Sequence, residues 1–186
     1  MEISGGGTVK TKVKLLKSIK SEGNSVIPTD IVPAYNWTTE IDMTIGEMLT
    51  EDNGWIFGCT NFDSLDNRTG LYGVGIAKSD ASMSICCGSD WNTTPLMYII
   101  PDNLDLTRNT LYCRRGRSSF GFQSSSNAPT ADMSNIIMPM AFFGYGIKNN
   151  NGENFVPKSS REITIYGVKL YSNEGTLLNN LLPAED

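Results

Sequence analysis

Glu40-Ile41-Asp42 places two carboxylates two residues apart, in a run with the periodicity of a strand. On a strand, residues i and i+2 share a face. A separation of about 5 Å between two carboxyl groups suits retaining glycoside hydrolysis. The next carboxylate, Glu47, falls on the parity of Ile45 and so on the other side. The pair is therefore short of a partner for acid–base work, and a wet strand face explains it equally well.

Other residues with chemical potential fall into small groups. Cys59, Cys86, Cys87 and Cys113 have no metal-ligand spacing, and the chain has no His, the commonest ligand and general base. Cys86 and Cys87 are adjacent, so on a strand they point to opposite faces. Buried free thiols are the expected state, with a weak lean towards a reducing compartment at synthesis. Asp63, Asp66 and Asn67 could serve as calcium oxygens, but their spacing is not that of an EF-hand and a solvated loop is the expectation. Gly73-Val74-Gly75 and Gly144-Tyr145-Gly146 precede no helix carrying Lys-Ser/Thr, so they read as strand glycines and not phosphate loops. No metal and no cofactor are expected.

The middle third gathers Trp91, Tyr98, Tyr112, Arg114, Arg115 and Arg117. Aromatic faces beside arginines hold sugars or anchor protein interfaces. We take Trp91, Tyr98, Tyr112, Arg114 and Arg117 as the ligand-binding candidates. The alternative is that the tyrosines edge the core and the arginines sit on a hairpin tip.

These groups need a scaffold, and the bulk composition bounds it. The 186 residues suit one all-β domain, 39% hydrophobic and 19% charged, with 18 Gly in turn-rich stretches. The net charge of −5 is split: residues 1–20 hold five Lys and one Glu, a net of +4, leaving −9 for the rest. The acidic body disfavours nucleic acid. No run has the length of a membrane-spanning helix, and the first residues lack the apolar region of a secretion signal. Asn36, Asn67 and Asn92 open Asn-X-Thr sequons, which without such a signal mark only polar loops.

In chain order, residues 1–12 read as a flexible Gly-rich arm and 13–186 as the β-sandwich domain. Lys10, Lys12 and Lys14 alternate with apolar residues, as on a half-exposed edge strand guarded by lysines. The same lysines are candidates for docking on an acidic partner or a neighbouring copy. Thr38 to Ile45 puts Ile41, Met43 and Ile45 on one face, and Gly46 to Leu49 could form a helical turn. Short strands follow at Trp55–Cys59, Leu71–Ala77, Ser82–Cys87 and Leu96–Ile100, then a hairpin from Asn109–Arg114 to Ser119–Gln123. The densest signal comes last: a long apolar strand over Ile136–Ile147, an Asn/Gly turn at Asn149–Gly152, and Arg161–Tyr171. This last strand carries apolar residues on both parities, which predicts cover on both faces. Thr176–Leu182 closes the chain. The total is roughly eleven to thirteen short strands, spaced as in a sandwich or jelly roll.

Met138-Pro139-Met140-Ala141-Phe142-Phe143-Gly144, Asn149-Asn150-Asn151-Gly152, Ile163-Thr164-Ile165-Tyr166-Gly167-Val168-Lys169-Leu170-Tyr171 and Leu177-Leu178-Asn179-Asn180-Leu181-Leu182-Pro183 together resemble a concanavalin A-like (laminin-G-like) jelly-roll module. Such modules occur in phage virion proteins and in surface proteins of gut bacteria. Ile27-Pro28-Thr29-Asp30, Thr39 to Met43 and Trp55 to Gly58 resemble its entry and core strands. About 160 residues are covered, the middle loosely. Glucanases of this fold carry Glu-x-Asp-x-x-Glu; here Ile45 takes the place of the last acid, so the resemblance implies no hydrolase. It implies an all-β, antiparallel β-sandwich of concanavalin A-like jelly-roll form with a short N-terminal arm. With the chain stopping at Asp186, it implies a one-module protein.

The functional expectation is a non-enzymatic structural or adhesive virion component, made in the host cytoplasm. It would serve as phage capsid decoration, head fibre or tail module, working through contacts with other virion proteins and as a homo-oligomer. The alternative is a carbohydrate-binding module on a cell or particle surface, with a host-surface glycan as partner. Neither nucleic acid nor membrane is an expected partner.

Overall fold

A computed structural model describes residues 14–34, 37–49, 53–62, 68–76, 83–88, 97–99, 108–114, 117–120, 123–125 and 136–185. Its strands, in order, begin with β1 (Lys14–Leu15), β2 (Ile19–Lys20), β3 (Ile27–Pro28), β4 (Thr38–Met48), β5 (Gly54–Phe62) and β6 (Arg68–Ile76). The middle contributes β7 (Met83–Gly88), β8 (Met97–Ile99), β9 (Asn109–Arg114), β10 (Arg117–Phe120) and β11 (Gln123–Ser125). The end contributes β12 (Ala141–Phe142), β13 (Gly144–Asn149), β14 (Gly152–Pro157), β15 (Arg161–Tyr171), β16 (Leu177–Leu181) and β17 (Ala184–Glu185). Among the described residues there is no helix, and Gly46 to Met48 extend β4 where a helical turn was an option.

The strands form a β-sandwich. One sheet runs β11-β10-β9-β4-β15-β16, with β2 beside β15. The other runs β14-β13-β5-β6-β7-β8, with β12 on β5 and β3 on β12. A small third pairing joins β1 to β17, setting Lys14 opposite Glu185. Among the described strands every pairing is antiparallel except β13 on β5. The exception has a local cause. Phe143 takes a φ of 61°, the left-handed region that bulky residues rarely enter. The chain reverses there, so β12 runs against β5 and β13 runs with it. Ile136–Ile147 is thus not one strand. The Asn/Gly turn joins β13 to β14, a strand the apolar pattern does not announce, within the eight-stranded sheet.

The two faces that meet are aliphatic and aromatic. β4 contributes Ile41, Met43 and Ile45, and β9 contributes Leu111 and Cys113, all buried. Phe57, Tyr72, Val74 and Phe143 meet them from the other sheet. Between the layers the Thr39 and Tyr72 hydroxyls share a 2.6 Å hydrogen bond, so neither is left unsatisfied by burial.

β15 corrects the sequence expectation. Ile163, Ile165, Val168 and Leu170 are all buried, while Tyr166 is half-buried and Lys169 exposed. The strand is covered by core on one face, not both. Ile165 pairs with Met43 but Gly167 pairs with Asp42, so one extra residue is taken up between them. This β-bulge resets the alternation, and the apolar residues on both parities come to one face. β5 has a similar shift between Trp55 and Phe57. There the bulge sends Trp55 to the outer face, where its ring lies 2.6 Å from where a Cβ on Gly58 would stand. Gly58 is therefore obligatory beneath that indole.

The bulge makes a direct prediction. Deleting Gly167 leaves Ile163, Ile165, Val168 and Leu170 on the core side and keeps both flanking registers. Deleting Lys169 swings Leu170 outward and Tyr171 inward. Chemical denaturation is expected to show ΔGly167 folding cooperatively, and ΔLys169 destabilised by about 3 kcal/mol or more. Equal tolerance of the two deletions would contradict the register.

Candidate functional site

The outer face of the seven-stranded sheet carries the polar chemistry. Register sets Tyr112 of β9, Glu40 of β4 and Lys169 of β15 in one row across three strands. Asp42 lies one row along, opposite Thr110 and Gly167. Glu40 and Asp42 do share a face, and each is engaged differently. Arg108 donates from Nε to Asp42 Oδ1 at 2.8 Å, and its Nη2 binds Asp42 Oδ2, a fork-on-carboxylate pair. The guanidinium also lies over the Tyr166 ring, 4.1 Å from its centroid. The Asp42 bond pushes the Arg108 pKa up, keeping the cation charged.

Glu40 takes a neutral partner. The Tyr171 hydroxyl donates to Glu40 Oε2 at 3.1 Å. Burial, then the bond to Glu40 and its charge, push the Tyr171 phenol above its ordinary value. Beside this pair lies an open concavity of about 240 Å³, lined by Thr38, Glu40, Tyr112, Tyr171, Ser172 and Asn173. Its end wall is the β15–β16 turn. There the Ser172 N–H donates to Thr176 O at 2.8 Å, and Ser172 Oγ accepts from Glu174 N and Thr176 N. Gly175, at φ 82°, closes that turn. Bonds from Ser172 and from its own backbone hold the Glu174 carboxyl below the usual range.

A second concavity, about 210 Å³, lies between the sheets and is lined by Ile19, Ile27, Phe142, Val168 and Leu181, among others. Its one hydroxyl, Thr29 Oγ1, already donates to Met140 O at 2.7 Å. Nothing there is set up to turn over a polar group.

Of the candidates from sequence, Tyr112 stands in the polar cleft. Arg114 and Arg117 are backbone register partners across the β9–β10 hairpin, in the same sheet as Tyr112. Tyr98 belongs to β8, in the other sheet, on a strand that comes close to β10 and β11. Trp91, Lys10 and Lys12 lie outside the described residues, as do residues 1–12 as a whole and the calcium candidates Asp63, Asp66 and Asn67. Lys14 lies in β1, paired with the last strand. Among the described residues no group of three His, Cys, Asp or Glu is placed to hold a metal, and no helix is long and apolar enough to cross a membrane. Cys59 and Cys113 are buried and form no disulfide, in line with the expectation for these two.

Tyr171, Arg108 and Tyr166 are the site residues that the sequence does not flag. The first reaches the outer face only because of the bulge, and Arg108 finds Asp42 from 66 positions away.

The Glu40–Tyr171 pair has a titration signature. A phenol held above its ordinary value of about 10 keeps its proton better in the folded chain. Its contribution is whole below the unfolded pKa and is lost as pH rises through the folded one. In tyrosine-ring carbon NMR, Tyr171 is expected to ionise at higher pH than an exposed tyrosine. Glu40→Gln should move that midpoint down, though not fully, because burial remains. An unmoved midpoint would show that the carboxylate does not act on the phenol.

No protein-family model matches this chain, and no curated protein matches it.

Proposed function

We propose that this chain is a non-enzymatic structural and adhesive component of a phage virion: a capsid decoration, head-fibre or tail module of concanavalin A-like jelly-roll form. One observation carries the non-enzymatic part. The carboxylate pair that sequence spacing offers for hydrolysis is already committed. Asp42 is clamped bidentately by Arg108, and Glu40 accepts from Tyr171. In the glucanase pattern the place of Asp42 is that of the helper, which here is held by a guanidinium fork, and the place of the third acid is taken by Ile45, which is buried in the core.

The adhesive part is supported by what that clamp builds. Arg108, stacked on Tyr166 and tied to Asp42, remains 57% exposed in its side chain. Arginine and tyrosine are enriched at protein interfaces, and a pre-ordered guanidinium loses little freedom on contact. The virion setting rests on the resemblance of the last third of the chain. The basic arm at residues 1–12, with Lys10, Lys12 and nearby Lys14, is the proposed anchor to an acidic neighbour or a second copy. Bacterial cell-surface display is the alternative setting.

Mass spectrometry of purified particles is expected to find the chain as a stoichiometric component. Arg108→Ala should fold with its melting temperature within a few degrees of the parent. It should lower incorporation or particle adhesion about tenfold, a loss of about 1.4 kcal/mol in contact. Particles devoid of the chain would refute the assignment. An Arg108→Ala variant that incorporates and adheres normally would remove this face from it.

A further inference from the structure

We propose that the cleft between Glu40, Tyr112, Tyr171 and the β15–β16 turn is a subsite for one ring of a neutral saccharide. This deepens the adhesive reading and rests on it for its biological purpose, while its chemistry stands on the cleft alone.

Three features select the ligand. The first is the Glu40 carboxylate. Tyr171 occupies Oε2, and among the described residues Oε1 accepts no bond and Glu40 makes no ion pair. Glu40 is half-buried and lines the open cleft, so its second carboxylate oxygen can take donors from a ligand there. Hydroxyl groups supply them, and a vicinal diol can reach a carboxylate with two O–H groups. The second feature is aromatic. Tyr112 and Tyr171 both line the cleft and both are only half-buried. Their rings offer an amphipathic wall to a ligand with an apolar face and polar edges. The third is the rest of the rim, with the hydroxyls of Thr38 and Ser172 and the amide of Asn173.

The same features exclude rivals. An anionic ligand would meet the Glu40 carboxylate, with Glu174 charged on the adjoining turn. A divalent cation would find one carboxylate where its usual sites gather several oxygens. A cationic peptide would meet Lys169, which stands opposite Glu40 in the register. A purely apolar group would leave the polar rim without partners. Size sets the scale. A cleft of about 240 Å³ lies below the 300–1,000 Å³ typical of drug-sized sites, so it fits one ring and not a long chain. Affinity for a single ring is then expected in the millimolar range.

The experiment is an amide NMR titration of the full chain. Its probes are the methyl glycosides of glucose, galactose, mannose and N-acetylglucosamine, with glucuronic acid and a short oligolysine as controls. At least one neutral glycoside should give saturable shifts centred on residues 38–40, 112 and 171–175. Glucuronic acid should bind at least tenfold more weakly. Glu40→Gln and Tyr112→Ala should each weaken the best sugar about tenfold, and Tyr171→Phe about threefold. Each variant alters a partly exposed side chain, and its amide spectrum reports directly that it remains folded. No saturable shift from any neutral glycoside overturns the proposal. So do shifts confined to other parts of the sheet, or shifts at the cleft with oligolysine alone. Sugar binding by a chain missing from particles overturns the virion setting and leaves the subsite in place. Particle incorporation without sugar binding does the reverse.

Discussion

A single surplus residue in β15 holds the architecture together. Ile163 and Ile165 have one parity, Val168 and Leu170 the other, and a regular strand could bury only one pair. The bulge opposite Asp42 brings all four to the core. Because β15 lies between β4 on one edge and β2 and β16 on the other, this bulge fixes the register of the sheet's centre. Burying two aliphatic side chains that would otherwise face water stabilises the fold by several kcal/mol, at about 1.5–3 kcal/mol each. That exceeds the cost of a local break in one ladder, where a backbone hydrogen bond contributes about 1 kcal/mol net.

The same residue count shapes the surface. Tyr166 faces outward under Arg108 on the parity it already has, and the reset returns Lys169 and Tyr171 to that outer face beside Glu40. Core and surface are thus set by one local irregularity. Two carboxylates in neighbouring rows then acquire different partners. Asp42 meets a permanent cation, and Glu40 meets a phenol that bonds without neutralising it. Asp42 becomes part of a fixed platform, while Glu40 lines the cleft beside Tyr171.

The sequence was legible where its period was clean. Thr38 to Ile45 alternates strictly, and the inward set Ile41, Met43 and Ile45 is the buried set. The fold class followed from many such short runs, and the hairpin at Asn109 from its polar turn, although its second arm starts at Arg117 and not Ser119. Reading failed where the period was interrupted. Two apolar parities in β15 have two explanations, a doubly covered strand or a bulge, and nothing local separates them. Ile136 to Ile147 is apolar throughout, so the reversal at Phe143 leaves no trace in composition. The site was legible only in part: Tyr112 stood out as an aromatic beside arginines, whereas its true companions, Glu40 and Tyr171, come from strands far away in sequence.

The two sheets differ in what their outer faces offer. On the eight-stranded sheet, Trp55 folds over Gly58 and Gly73, packs with Leu71, and meets the Tyr145 ring at 5.2 Å. That apolar cap covers the middle of the sheet, which is why β5 is buried along almost its whole length. The seven-stranded sheet has no equivalent cap among its described residues. Its outer face presents Thr44, Asp42, Glu40, Lys169 and three tyrosines in place of an indole. Among the described residues, then, the sandwich is asymmetric, with one outer face covered by its own tryptophan and the other lined by polar and aromatic side chains.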